Sequence, residues 1–389
     1  MNESSCFTEQ TKLLHHSNKI DPTTGAVNVP LQLSSTFHQN NLENFGEYDY
    51  SRSGNPTRKV LEDQIALLEN GFRGFAFSSG MAAISSTFLL FSQWDHIIIS
   101  EDVYGGTYRV VTEVLNRLGI YHSFVDMTNI EEVKKAIRPN TKAFYIETPS
   151  NPLLKIIDIQ TISQVAKEIN ALTIVDNTFL TPLLQKPLDL GADIVLHSAT
   201  KFLSGHSDLL AGLAVVKDQV LAERLYFLQN SFGAVLGVQD CWLLLRGLKT
   251  LYVRLQQSTA SAGTLASYLN NHPFITKVYY PGLPSHQGYS LQKSQANGSG
   301  AVLSFELYNE ELIKTFIEHL KIPVFAVSLG AVESILSYPV KMSHASMDEQ
   351  TRRKRGISNK LLRLSVGIEN VEDLINDFEY AINKCMVYS

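Results

Sequence analysis

Two charged residues stand where short apolar runs end. The run Leu172-Thr-Ile-Val closes on Asp176, and the run Ile194-Val-Leu-His197 leads directly into Ser198-Ala-Thr-Lys201. If both runs are strands of one sheet, the acid and the lysine face a common crevice beyond the carboxyl ends, where ligands bind in open α/β sheets. An ammonium there is costly unless it is used. The plain reading is a salt bridge or a lysine that reaches water. The sharper one is a lysine that forms a Schiff base, beside an acid that keeps a pyridine nitrogen protonated. That is the pairing pyridoxal phosphate (PLP) requires. Ser198 and Thr200 could then hold the phosphate, and Tyr104, after the run His96–Ser100, could stack on the ring.

A second feature supports an anion site. Ser78-Ser79-Gly80-Met81 ends an apolar run and opens a helical stretch, so free N–H groups at the helix start would point at a phosphate. An ordinary capped turn has the same composition, and both readings stand at this point. Other chemistries lack their marks. There is no GxGxxG after a strand, no GxxxxGK[ST] and no GxSxG, which leaves dinucleotide, P-loop and hydrolase readings weak. His15-His16, His197, His206 and His344 show no metal-ligand spacing, so no metal is expected.

Composition narrows the class further. Lys plus Arg is 33 and Asp plus Glu 38, a net charge of −5, which gives no basic surface for nucleic acid. The run Arg352-Arg353-Lys354-Arg355 reads as a solvated loop or helix end. Cys6, Cys241 and Cys385 are too few and too scattered for a disulfide framework and fit a reducing compartment. No apolar stretch reaches the ~20 residues that span a bilayer, and no signal-peptide pattern opens the chain. The expected location is cytoplasmic, without a membrane partner, and the sequons at Asn2 and Asn297 carry no weight.

The elements that must position these groups follow from periodicity. Residues 1–54 lack strong periodicity and read as an arm, which needs something such as a neighbouring subunit to hold it. Asn55-Pro56 caps and starts a helix with Val60, Leu61, Ile65 and Leu68 at helical spacing, stopped at Asn70-Gly71. Seven buried-looking runs then alternate with helices: Gly74–Phe77, His96–Ser100, Tyr121–Val125, Ala143–Glu147, Thr173–Asp176, Ile194–His197 and Gly212–Val216. They predict a doubly wound, mostly parallel sheet in a domain over 55–247. Strands at Ala301–Leu307, Val324–Ser328 and Leu362–Val366, with a helix near Val371–Lys384, predict a smaller α/β domain over 248–389.

Taken together, eight ordered blocks resemble the Cys/Met-metabolism family of PLP enzymes, the cystathionine lyases and synthases. They are Tyr48-Asp-Tyr-Ser-Arg-Ser-Gly-Asn-Pro-Thr57, Phe77-Ser-Ser-Gly-Met-Ala-Ala83, Asp102-Val-Tyr-Gly-Gly-Thr107, Glu147-Thr-Pro-Ser-Asn-Pro152, Val175-Asp-Asn-Thr-Phe179, His197-Ser-Ala-Thr-Lys-Phe-Leu-Ser-Gly-His-Ser-Asp208, Val327-Ser-Leu-Gly-Ala-Val-Glu-Ser334 and Leu362-Arg-Leu-Ser-Val-Gly-Ile-Glu369. The likeness runs nearly end to end and is greatest to the cystathionine β-lyases of the Bacillus type.

The resemblance implies an aminotransferase-like fold (fold type I) and PLP as cofactor. Lys201 would carry it and move protons, Asp176 would face the pyridine nitrogen, and Tyr104 would stack on the ring. Gly80, Met81, Ser198 and Thr200 would bind the phosphate. Tyr50 and Arg52 would reach the phosphate of the neighbouring subunit, in a homotetramer of active-site-sharing dimers. Lys201, Tyr104 and Tyr50 would form the catalytic set. Arg363, with Asn151 and Ser328, would hold the substrate α-carboxylate, while Asp49 and Arg109 would face its distal end.

The implied reaction is carbon–sulfur β-elimination: L-cystathionine and water give L-homocysteine, pyruvate and ammonia in methionine biosynthesis, with cysteine as a possible second substrate. Two departures point away from the γ enzymes of the family. Val327 stands where they usually carry Glu, and Gly106 where methionine γ-lyases usually carry Cys. A cystathionine γ-lyase or γ-synthase remains the alternative. A catalytically silent regulator of this fold is disfavoured because Lys201 and Asp176 are present and no DNA-binding segment is appended.

Overall fold

The computed structural model describes residues 7–15, 20–345 and 347–387; Asn2, Cys6 and His16 lie outside them. The seven apolar runs are strands to within two residues at either end: β1 Arg73–Phe77, β2 His96–Ser100, β3 Tyr121–Val125, β4 Thr141–Glu147, β5 Leu172–Asp176, β6 Ile194–Ser198 and β7 Gly212–Val216. They form one sheet in the order β1-β7-β6-β5-β4-β2-β3. The five strands from β3 to β6 run parallel, whereas β7 is antiparallel to β6 and β1.

Burial on both faces explains why these strands read as continuous apolar runs. Along β4, Tyr145 packs with Phe88 in one layer, while Phe144 and Ile146 enter the layer on the opposite face. Parallel register then decides what reaches the carboxyl edge. Glu147 and Asp176 are direct partners at the ends of β4 and β5, and β6 ends beside them on Ser198.

Helices enter where the capping residues predict. Helix α1, Glu9–His15, lies within the arm, where no periodicity marks it, and is pinned by buried Leu13 and by Gln64 Nε2 donating to Lys12 O at 3.2 Å. Helix α2, Pro56–Leu68, begins at Asn55, whose Oδ1 accepts from the amides of Thr57 and Arg58. Helix α3, Gly80–Phe88, begins at Ser79, whose Oγ accepts from Ala82 N at 3.1 Å. Helix α4, Gly105–Arg109, follows Tyr104.

A second sheet of five strands has the order β10-β11-β12-β9-β8: β8 Ile275–Tyr279, β9 Val302–Leu307, β10 Val324–Phe325, β11 Ile335–Ser337 and β12 Leu361–Ser365. Its pairs are antiparallel except β10 with β11. The expected strand Val324–Ser328 is corrected to two residues. After Ala326 N bonds Leu336 O, the chain leaves the ladder, and Ser328 and Gly330 turn with φ of +89° and +77°. The three-residue β11 is too short to show a period, and the last helix runs three residues beyond expectation, over Val371–Val387.

Candidate active site

A cavity of about 470 Å³ opens at the carboxyl edge of the seven-stranded sheet, and β12 and the loop after β10 close its far side. Lys201 enters it from the turn after β6. Its Nζ donates to Ser328 Oγ at 2.6 Å. Burial, and then the Arg363 guanidinium, push the Lys201 ammonium down to about 8. The amine can therefore lose its proton close to neutrality, as a nucleophile must.

Ser328 holds both cations of this wall. Its carbonyl accepts from Arg363 Nη2 at 2.7 Å, and Asn151 Oδ1 accepts from Arg363 Nη1 at 2.8 Å. A φ of +89° is strained for a residue with a Cβ. Here the two hydrogen bonds keep Ser328 in that conformation, as expected where a strained residue serves a site. Arg363 is buried on β12, and burial lowers its proton affinity to about 10. It stays cationic at neutral pH, and a guanidinium held in this way could bind a carboxylate.

Asp176 occupies the floor. Its Oδ1 accepts from the backbone and hydroxyl of Thr178, at 3.0 and 2.5 Å, and its Oδ2 from Tyr145 Oη at 3.4 Å. Thr178 Oγ1 also accepts from Ser198 N at 2.8 Å, so one threonine ties the ends of β5 and β6 together. Burial raises the Asp176 carboxyl despite these bonds. A protonated pyridine nitrogen against it would compensate that burial.

Beside Asp176 the α3 N-terminus meets β6. Gly80 and Met81 line the cavity with Ser198 and Thr200, and the first amides of a helix precede its hydrogen-bond ladder. A Cβ on Gly80 would lie 2.9 Å from Ser198 Cβ, so glycine permits this close approach. The Thr200 hydroxyl also exchanges hydrogen bonds with the Ala211 backbone, at 3.3 and 3.0 Å. The donor set fits PLP: an amine of lowered proton affinity, a floor carboxylate, a helix start with hydroxyls for phosphate, and the Tyr104 ring on the wall.

Tyr104 is exposed to the cavity, and its backbone N–H donates to Glu147 Oε2 at 2.8 Å. A Cβ on Gly106 would come within 2.4 Å of the Tyr104 ring and 2.6 Å of Met81 Sδ. Glycine at 106 thus lets the ring fold over α4. Arg109, exposed at the end of α4, lines the same cavity.

Asp49, Tyr50 and Arg52 are not brought to this cavity. They are exposed on the arm, where the Arg52 guanidinium lies 5.5 Å from the Tyr50 ring centroid and Asp49 Oδ1 accepts from Tyr50 N. The segment is nonetheless fixed: buried Arg58 donates to Ser51 O at 2.7 Å and to Arg52 O at 3.0 Å. Sequence reasoning assigned no role to Glu147, Thr178 or Ser343, all of which line the cavity. Glu147 carries the same signal as Asp176, an acid that ends an apolar run. Ser343 lies in a loop without any such mark.

The chain is similar to known proteins over nearly its whole length. A model of the Cys/Met metabolism PLP-dependent enzymes matches residues 10–383. A cystathionine beta-lyase of Bacillus subtilis (strain 168) is 63% identical over 378 residues, covering 97% of each chain. A cystathionine gamma-lyase of the same organism is 52% identical over 374 residues, covering 96% of this chain and 99% of its own. Among solved structures, the cystathionine gamma synthase of Xanthomonas oryzae pv. oryzae in complex with cystathionine superposes with a TM-score of 0.96 at 40% identity. That match covers 98% of this chain and 99% of the other.

Proposed function

We propose that this chain, which belongs to the Cys/Met metabolism family of PLP-dependent enzymes, splits L-cystathionine by β-elimination. With water the reaction gives L-homocysteine, pyruvate and ammonia, a step of methionine biosynthesis. One observation carries the reading: Ser328 binds Lys201 through its hydroxyl and Arg363 through its carbonyl. A proton acceptor and a carboxylate anchor thus flank one point, where the α-carbon of an amino acid would sit.

PLP, when bound, supplies an electron sink for the pair released at that α-carbon. Lys201 would hold the cofactor through its amine and, once that amine is free, would take the α-proton at Nζ. Arg363 and Asn151 bind the α-carboxylate, and Ser328 keeps the Lys201 amine beside it. Asp176 would hold a proton at the pyridine nitrogen, and the Tyr104 ring would pack against the cofactor. Gly80, Met81, Ser198 and Thr200 would hold the phosphate. The electron pair released at the α-carbon forms a Cα–Cβ double bond as the Cβ–S bond breaks. Sulfur leaves as the thiol of homocysteine with a proton that Lys201 Nζ would return, and the three-carbon enamine, once free, is hydrolysed by water to pyruvate and ammonia.

The runner-up is γ-elimination, which the 52% identical gamma-lyase relative keeps in view. Val327 favours the β reading. It presents an apolar side chain to the cavity where the γ enzymes usually have an acid. The exposed Tyr50 and Arg52 support a shared site: they would complete the phosphate site of a neighbouring subunit, in a homotetramer built of such dimers, with Asp49 facing the distal end of the substrate there. Within the subunit, Arg109 would face the same distal end. On this reading 1–54 is an arm, 55–247 the PLP-binding domain and 248–389 the C-terminal domain. A cytoplasmic location fits a chain in which no described helix is long and apolar enough to cross a membrane. The experiment is identification of the amino thiol released from L-cystathionine: homocysteine is expected, and cysteine as the main product contradicts β-elimination.

A further inference from the structure

Glu147 is a buried acid on the cavity wall to which the mechanism above gives no task. It ends β4, pairs in register with Asp176 on β5 and is 5% exposed. Among the described residues its carboxyl makes one hydrogen bond, from Tyr104 N to Oε2 at 2.8 Å. That bond spans 43 residues and meets the chain where α4 begins. Tyr104 occupies the cap position of α4 without a side-chain cap of its own, and Gly106 gives its ring room to fold over the helix start. The ring has two neighbours that would direct it, Met81 and the helix beneath it, but the backbone beneath the ring is held from the sheet by Glu147.

We propose that Glu147 is a positioning residue that sets the Tyr104 ring against the cofactor by accepting the Tyr104 amide, and that it does this as a neutral carboxyl. The inference rests on the placement of Tyr104 against PLP described above. The geometry argues for neutrality. A carboxylate buried with one hydrogen bond is poorly compensated, and two carboxylates at the ends of paired strands repel each other. Among the described residues, the titratable groups that face Glu147 are Tyr145 on its own strand, Asp176 from β5, Asp102 from the loop after β2, and Arg363 from β12. Burial and the two acids raise its proton affinity, while the Tyr104 amide and Arg363 lower it. The balance lies well above the ordinary carboxylate range. A single negative charge, on Asp176, then remains for the pyridine nitrogen.

The test compares E147Q, E147L and Y104A in the PLP-loaded enzyme. The readouts are the visible circular dichroism of the bound cofactor and the pH profile of kcat. Glutamine keeps an acceptor oxygen without a charge, whereas leucine keeps the volume without an acceptor. E147L is expected to change the dichroic band and lower kcat about a hundredfold, the cost of misplacing a catalytic group by about 1 Å. E147Q is expected to restore the band and most of kcat, with the acid limb of the profile unmoved. Y104A, which removes the ring itself, is expected to change the band as E147L does. If E147Q behaves like E147L, or moves the acid limb, the proposal is overturned because the charge was needed. If E147L leaves the band intact while Y104A alters it, Glu147 does not set the ring. If Y104A leaves the band intact, the premise about Tyr104 falls and the inference falls with it.

Discussion

Lys201 Nζ and Ser328 Oγ meet at 2.6 Å across 127 residues of sequence. The bond joins a turn of the seven-stranded sheet to a strained loop of the five-stranded one. The Lys201 amine is therefore positioned from the second sheet, which also carries Arg363. Removing the amine by Lys201→Ala should leave the fold largely intact and abolish turnover, because cofactor attachment and proton transfer are lost together. Far-UV circular dichroism and the loss of the yellow colour would check it. Substantial elimination by the variant would contradict the role.

The lowered proton affinity of Lys201 gives a pH prediction with a definite sign. The amine must be unprotonated to attack an aldehyde, so cofactor attachment to the apoenzyme should quicken as pH rises through about 8. Burial is the larger cause and the like charge of Arg363 the smaller. Arg363→Gln should therefore move that limb upward by only part of the total shift. A limb that moved downward would mean that Arg363 is not a repelling neighbour of Lys201.

Gly106 makes a steric prediction. A Cβ there would lie 2.4 Å from the Tyr104 ring and 2.6 Å from Met81 Sδ. Gly106→Ala should displace one or the other and weaken cofactor binding, read as a raised PLP dissociation constant with little change in melting temperature. An unchanged constant would show that the wall yields freely at this point.

The exposed arm predicts complementation. Arg52→Ala should loosen PLP retention, and mixing it with Lys201→Ala subunits should restore activity, since one intact site can form at a mixed interface. Absence of recovery in verified mixed oligomers would place the whole site within one chain.

Arg109 predicts substrate discrimination. Losing a charged hydrogen bond costs ~1.5–3 kcal/mol, so Arg109→Ala should lower kcat/KM for cystathionine roughly ten- to a hundredfold. Cysteine, which has no distal carboxylate, should be spared. Equal losses on both substrates would remove Arg109 from distal recognition.

Much of this was legible in the sequence because the parallel sheet is buried on both faces and so leaves uninterrupted apolar runs. Asp176 and Lys201 could be picked out because each follows such a run. Glu147 carried the same mark, yet what it touches is set by a bond to Tyr104 that only the folded chain brings about. The loop around Ser328 was hidden for a different reason. Its φ of +89° breaks the strand expected there, and that strain depends on partners more than 30 residues away, Lys201 and Arg363. Helix α1 was missed because only Leu13 of its seven residues is buried, too few to make a period.

Lys201, Ser328 and Arg363 would gather a β-elimination around one α-carbon, with Val327 in place of the acid of the γ enzymes. The measurement that bears on it most directly is the identity of the keto acid formed from L-cystathionine by the purified PLP enzyme. Pyruvate should dominate. A dominant yield of 2-oxobutyrate would mean that the chain works at the γ-carbon and would contradict the β-lyase reading.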